Sequence, residues 1–385
     1  MGRGGDATRG TILWVASGDE TGGVGRSLLA VSAALKGEAL TVRVASLSPG
    51  RLVDLADRHG VETTVGSPSQ VSLRTSHACP PRVQTPASLI LAGPAGWARA
   101  LQRAVSRSAW TDIRGVHVRS PMLLSVGGAL AQSLNVPLVW QVANAPGSDR
   151  RLNQLVYRWA VRRWQAKPLA NSRYVRDRFR FLGDIPWAYV PIESAFLRAA
   201  IVPPPRGPLR FLSMGRASRS KGQSILVSAF ENFMGHSGCG ELRIVGLRDG
   251  EPASDALRRQ VAASRWHSAI QLQAYSDDPR AEFEGCHIVV AGQTGQEPFG
   301  QVAAQGLALG RPVLAVGRGG PAELVAETGF GWRVASFSRD HVAAGLRTAA
   351  GEYGDLATGA REAQRHAREM LDPRHFRRIY RGLIE

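Results

Sequence analysis

Short apolar runs alternate with helical periodicity along this chain, twice over, and that rhythm limits what it can fold into. In the first half TILWVAS (11–17), TVRVASL (41–47), VETTV (61–65), ASLILA (87–92), VHVRS (116–120), VPLVWQVA (136–143) and PLANS (168–172) read as strands. After the proline-rich stretch IVPPPRGP (201–208) the rhythm restarts with LRFLSMG, ELRIVGL, AIQLQAY, HIVVAG and PVLAVG. Strands alternating with helices predict parallel sheets wrapped on both faces. The fold class expected is α/β, with two doubly wound, Rossmann-like domains joined near Pro203–Pro205 and facing across a cleft. A length of 385 residues suits two domains. Ligands of such sheets bind at the carboxyl ends of the strands. Residues 66–86 are rich in Ser and Pro without a clear period, the mark of a functional or disordered loop.

The stretch 292–323, GQTGQEPFGQVAAQGLALGRPVLAVGRGGPAE, is the most sharply punctuated. A loop carrying Glu297, Pro298 and Phe299 leads to a helix that begins near Gly300 and stops at Gly310, with Pro312 just beyond. Val313–Val316 suits a buried parallel strand. Gly319 and Gly320 then form a turn, and Pro321 opens a second helix at a position where its missing N–H costs nothing. Two helix N-termini therefore face one sheet edge, where free N–H groups and the positive dipole end favour phosphates. Residues 211–223, FLSMGRASRSKGQ, read as a strand end, a loop and a helix start that present Arg216 and Lys221. A basic turn of this kind can be merely solvated, or it can clamp a departing diphosphate.

Composition excludes several classes. Apolar content of 44% is globular, and no run approaches the ~18 apolar residues that span a bilayer. MGRGGDATRG lacks the apolar core of a secretory signal. Cys79, Cys239 and Cys286 are few and far apart, as expected of free thiols in a reducing cytosol. The net charge of +17 is carried mainly by arginine, scattered through both halves without a nucleic-acid motif. It fits an anionic membrane surface better than nucleic acid, beside the plainer reading of codon bias and a solvated surface. Around 150–163 Leu152, Leu155, Val156 and Trp159 can form one helical face, with Arg151, Arg158 and Arg162 on another. Trp97, Leu101 and Val105 recur at four-residue steps beside Arg99, Arg103 and Arg107. Such faces pack on a core or seat a protein on anionic lipid. The glycine-rich loop TGGVGRS (21–27) fails as a P-loop, because Glu20 and Arg26 stand where a glycine and a lysine are required.

Glu297, Phe299–Gly300, Leu309–Gly310–Arg311–Pro312–Val313, Gly319–Gly320 and Glu323 together resemble the donor-binding motif of retaining GT-B glycosyltransferases, in the large group called family 4. Gly215, Arg216, Lys221 and Gly222 match the same family's G-R-x-x-x-x-K-G. Gln305 stands where the family has a second glutamate, and Ala143–Asn144 where many relatives place a histidine. The resemblance implies domains at 1–197 on the acceptor side and 198–370 on the nucleotide-sugar side, with a helix at 371–385 crossing back to the first. It implies that Glu297 orients the donor sugar and that Arg216 and Lys221 stabilise the departing diphosphate. Gly215, Pro298, Phe299, Gly300, Gln305, Gly320 and Glu323 would line the donor site, and Gly22, Gly23, His117 and Asn144 would contact substrate. A lone strand histidine such as His117 is as readily structural, and Ser172 in the family's A-x-S segment is structural or near the acceptor. The base pocket is expected near Ala274 and Tyr275.

No cofactor is implied beyond a UDP- or GDP-linked sugar, and no metal, since no D-x-D pair lies in a metal-type loop and Arg216 with Lys221 can take the metal's place. The leaving phosphate itself would take the acceptor's proton. The implied acceptor is lipid-linked or a glycan precursor, met in the cytoplasm at the inner face of the plasma membrane. A small soluble acceptor, or a non-catalytic sugar-nucleotide binder, is the alternative.

Overall fold

The computed structural model describes residues 10–20, 22–66, 94–143, 150–237, 239–276 and 278–385. The chain divides into two compact units, Met1–Pro191 with Pro373–Glu385, and Ile192–Asp372. In the first, β1 (Gly10–Ala16), β2 (Leu40–Ser46), β3 (Thr63–Val65), β4 (Ile113–Val118), β5 (Leu138–Val142) and β6 (Ala166–Ala170) form one parallel sheet. Its order is β3-β2-β1-β4-β5-β6. In the second, β7 (Arg210–Met214), β8 (Glu241–Leu247), β9 (Ile270–Ala274), β10 (Ile288–Gly292), β11 (Val313–Val316) and β12 (Gly331–Val334) are again parallel. Their order is β12-β11-β10-β7-β8-β9, the same winding once the strands are counted from β7. The order reverses between β1 and β4 in one unit and between β7 and β10 in the other. At these switch points the loops part and a ligand can approach the strand ends.

The central strands are apolar because helices cover both faces. Every residue of β1, β5 and β11 is buried. Trp140, Tyr157 and Phe179 pack ring to ring in the first core, and Phe211, Phe230 and Phe233 in the second. The edge strand β12, GWRV, is missing from the apolar-run reading. A glycine and an arginine break its run, and Gly331 is required because a Cβ at its φ of 143° would strike the Val313 carbonyl. The expected strand at 87–92 and residues 67–86 of the long loop lie outside the described residues.

The chain leaves the first unit at Pro191, so the proline-rich stretch 201–208 lies inside the second unit rather than at the junction. It returns at Pro373. Helix Pro373–Ile384 buries Phe376 and Tyr380 in the first unit, and Arg377 and Arg381 pair with Glu38. The two arginine-rich helices differ. Helix Pro94–Arg107 buries Leu101 and Val105 as its periodicity predicts. Helix Arg151–Arg163 buries Tyr157 and Ala160 instead and leaves Leu152, Leu155 and Trp159 exposed.

Candidate functional site

At the switch point of the second unit β7 hands over to a loop at Gly215, whose φ is 144° and whose N–H donates to the Val245 carbonyl at 2.9 Å. The Gln223 carboxamide donates to the carbonyls of Gly215 and Arg216 at 3.1 and 3.2 Å, folding the loop back on itself. Ser218 caps the turn Arg219–Lys221, its hydroxyl accepting from the Lys221 N–H at 3.3 Å. Gly222, left-handed at φ 69°, then turns the chain into helix Gln223–Ser237. A Cβ there would lie 2.6 Å from the Phe337 ring.

This turn aims Lys221 across the sheet edge, where its Nζ donates to Glu297 Oε2 at 2.6 Å. Backbone ties the same two loops, with the Thr294 N–H donating to the Ser220 carbonyl at 2.8 Å. The two motifs are thus in direct contact, although 76 positions separate Lys221 from Glu297. Arg216 is exposed on the β7 loop.

The β11 loop runs beside the β10 loop. The Gly320 N–H donates to the Glu297 carbonyl at 2.8 Å, and Glu297 and Gly319 form a parallel bridge. Side chains cannot fit there: a Cβ at Gly319 would strike the Glu297 carbonyl, and one at Gly320 the Phe299 carbonyl. Gly300, at φ 84°, lies against Pro321 and begins helix Gln301–Ala308. That helix and helix Gly320–Thr328 start without a side-chain cap, and the first has no acidic residue in its first turn. The dipoles of both helices, and the first-turn N–H groups of helix Gln301–Ala308, favour an anion at the ends of β10 and β11; in the second helix the Gly320 N–H already bonds Glu297 and Pro321 has none. Glu323 stands in the first turn of the second helix, where a carboxylate suits the dipole. Phe299 is buried and Pro298 half-buried.

Gln305 is buried on helix Gln301–Ala308 and donates through Nε2 to Glu193 Oε2 at 2.8 Å. Glu193 belongs to the same unit, just ahead of the short helix Ser194–Arg198. Sequence reasoning passed over it, since an acidic residue before a five-residue helix carries no signal of its own. Tyr275 stands exposed after β9, its N–H donating to the Leu247 carbonyl.

The switch point of the first unit is built differently. The Glu20 carboxylate closes the end of β1, accepting from the N–H groups of Ser17 and Gly18 at 2.7 and 2.8 Å. Gly22, at φ 65°, and Gly23 open helix Gly23–Lys36, which has no side-chain cap and no acidic residue in its first turn. Arg119, following β4, donates to the Gly23 carbonyl at 3.3 Å. Sequence reasoning used Glu20 only against a P-loop and did not single out Arg119.

His117, expected as a substrate contact, is placed in the core instead. It is fully buried on β4 and stacked on Trp14 at 4.3 Å, with Nδ1 3.1 Å from the Tyr380 hydroxyl. Burial, helped by the charge of Arg119, pushes its pKa down to about 3. Asn144 lies outside the described residues. Ser172 is buried and caps helix Arg173–Arg178, accepting from the Val175 N–H at 3.1 Å. Among the described residues no group of three or more His, Cys, Asp or Glu could hold a metal ion. No described helix is long and apolar enough to cross a membrane.

Residues 198–365 match the family described as glycosyl transferases group 1. No curated protein matches the chain in sequence. Solved structures do. Anabaena HepE in complex with UDP and glucose is 19% identical with a TM-score of 0.73, over 96% of this chain and 98% of that one. A glycosyltransferase from Rickettsia africae is 19% identical with a TM-score of 0.74, over 98% and 99%. An E. coli structure described as trehalose-6-phosphate bound with UDP-2-fluoro glucose is 13% identical with a TM-score of 0.69, over 97% and 99%. At these identities the likeness is one of fold. The family match is a separate finding, and its span takes in Gly215, Arg216, Lys221, Glu297, Gln305, Gly320 and Glu323. The chain has the fold of these GT-B structures, and its residues 198–365 match the family described as glycosyl transferases group 1.

Proposed function

We propose that this protein transfers a sugar from a nucleotide-diphosphate donor to an acceptor hydroxyl, with retention at the anomeric carbon and without a metal. The observation that carries the reading is the Lys221–Glu297 ion pair at the switch point, beside two uncapped helix N-termini. The N-termini and Lys221 offer fixed positive charge for a diphosphate, and Arg216 on the same loop adds a second cation. As the bond from the anomeric carbon to the diphosphate oxygen breaks, charge builds on that oxygen and these groups stabilise it in place. The acceptor oxygen bonds to the anomeric carbon on the face the diphosphate leaves, and its proton passes to a phosphate oxygen.

Glu297 both holds Lys221 and accepts hydroxyls of the transferred sugar. Gly215, Pro298, Phe299, Gly300, Gly320 and Glu323 shape the donor site, with Gln305 and Glu193 behind them. In the first unit Gly22, Gly23 and Asn144 are the proposed substrate contacts. Uridine is the favoured base, since HepE and the E. coli structure are described with UDP or a UDP-sugar. The acceptor is a lipid-linked or glycan precursor for cell-envelope polysaccharide, met in the cytoplasm at the inner face of the plasma membrane. The charge of +17 and the basic helices of the first unit support that choice.

Thermal unfolding with UDP, GDP and ADP and their sugar conjugates tests the donor half. A ligand of the folded state at ~100 times its Kd adds about 2.7 kcal/mol. A rise with UDP, followed by release of UDP from UDP-sugar on adding acceptor, is the expected result. No rise with any nucleotide, and no turnover, would favour a protein without transferase activity.

A further inference from the structure

Helix Arg151–Arg163 carries a second surface. Leu152, Leu155 and Trp159 are 73, 59 and 44% exposed, three of the five exposed large apolar side chains among the described residues. Spaced three and four positions apart, they form one stripe, within about 60° at 100° per residue. Tyr157 and Ala160 take the opposite face into the core, so the stripe lies at the middle of the outward face. The exposed Arg151, Arg158 and Arg162 line one side of it and Arg163 the other. Leu155, Trp159 and three of these arginines line a surface groove of about 470 Å³.

Two arginines are braced. Arg158 Nε donates to the Phe181 carbonyl at 2.6 Å, and the Arg163 guanidinium sits over the Trp164 ring at 4.3 Å. The helix contains no acidic residue. Residues 150–184 hold ten Arg or Lys and two Asp, a net +8 of the chain's +17.

We propose that this face docks on the surface of an anionic phospholipid bilayer. Trp159, Leu155 and Leu152 enter the boundary between headgroups and acyl chains, and the flanking arginines meet lipid phosphates. The apolar stripe accounts for what a solvated basic helix would leave unexplained, and the arginines for what a protein-binding apolar patch would not need. Anionic lipid matches both at once. The inference gives the proposed membrane-side acceptor a docking face, and vesicle binding needs neither donor nor turnover.

Co-sedimentation of the full chain with phosphatidylglycerol and with phosphatidylcholine vesicles tests it, nucleotide-induced thermal stabilisation being followed in parallel. Wild type is expected on phosphatidylglycerol only, with binding that weakens as salt rises. The Arg151→Gln, Arg162→Gln, Arg163→Gln variant should lose roughly a hundredfold in partitioning, at about 1 kcal/mol per arginine. The Leu152→Ser, Leu155→Ser, Trp159→Ser variant should lose at least tenfold, and Trp159 emission should shift to the blue on wild-type binding. Unchanged nucleotide stabilisation in both variants separates loss of the docking face from loss of the fold. Equal sedimentation of wild type and both variants would overturn the proposal. So would self-association of the wild type that the serine variant abolishes without any vesicle binding, since the stripe would then be a contact between copies. A chain that binds vesicles but no nucleotide would leave this inference standing and remove the transferase reading.

Discussion

The two sheets share one winding and differ at the place where that winding offers a site. At the β7/β10 switch the polar groups are left open: Lys221 against Glu297, both partly exposed, with two uncapped helices beside them. At the β1/β4 switch helix Gly23–Lys36 is likewise uncapped, but the polar side chains close the strand ends instead. Glu20 caps the end of β1, Arg119 ties to the Gly23 carbonyl, and His117 lies stacked in the core. Topology makes both edges available, and side chains decide which stays open. The pair also shows why a histidine at a strand end is weak evidence of a site until its cover is known.

Substitutions at the open switch should cost activity before stability. Glu297→Ala and Lys221→Ala are expected to lower kcat by roughly 10²–10³ with UDP-sugar and acceptor, as when a preorganised charge is removed from a transition state. Turnover within tenfold of wild type in either variant would take that residue out of the chemistry. Packing is the next largest effect. A Cβ at Gly320 strikes the Phe299 carbonyl, so Gly320→Ala should destabilise the second unit by about 3 kcal/mol, read by denaturant unfolding.

The closed switch should show itself through pH. His117 is neutral in the fold, its pKa down from 6.5 to about 3, while the unfolded chain takes up a proton below 6.5. Above pH 6.5 this costs nothing. As pH falls from 6.5 towards 3, stability drops by ~1.4 kcal/mol per unit, about 2 kcal/mol by pH 5. His117→Gln should flatten that slope, whatever it costs at neutral pH, and leave nucleotide binding intact. A slope equal to wild type would mean that other groups carry the acid sensitivity. The smallest effect is expected at Gln305→Ala, about 1 kcal/mol for a single hydrogen bond to Glu193, measured as a loss of stability that a Glu193→Ala background no longer shows.

Much of this is legible in the sequence alone. The central strands announce themselves because burial on both faces demands unbroken apolar runs, Gly310 marks a helix end, and Gly300, Gly319 and Gly320 stand where a Cβ would strike a neighbour. The motif positions of Arg216, Lys221 and Glu297 were legible too, while the contact between the last two was not, since no local rule spans that separation. The same limit hid Glu193, whose partner Gln305 lies 112 positions away. It also hid the burial of His117: V-H-V in a strand says that one face holds the histidine, but its cover comes from Tyr380, 263 positions on. Helix Arg151–Arg163 stayed open for another reason. Its apolar stripe suits a core face or a lipid-facing one equally, and only the inward placement of Tyr157 and Ala160 shows that the stripe is not the core face.

The ion pair at the open switch has a practical side. Of the 48 basic residues only Lys36, Lys167 and Lys221 are lysines. An amine-selective acylating reagent therefore meets three side chains in the whole protein, and one of them is the proposed diphosphate clamp. Mass spectrometry of the peptide carrying Lys221, with Lys36 and Lys167 as internal standards, would follow occupancy of the donor site directly. A nucleoside diphosphate bound at Lys221 should slow labelling there and nowhere else, giving a ligand screen that needs no acceptor and no prior choice of sugar.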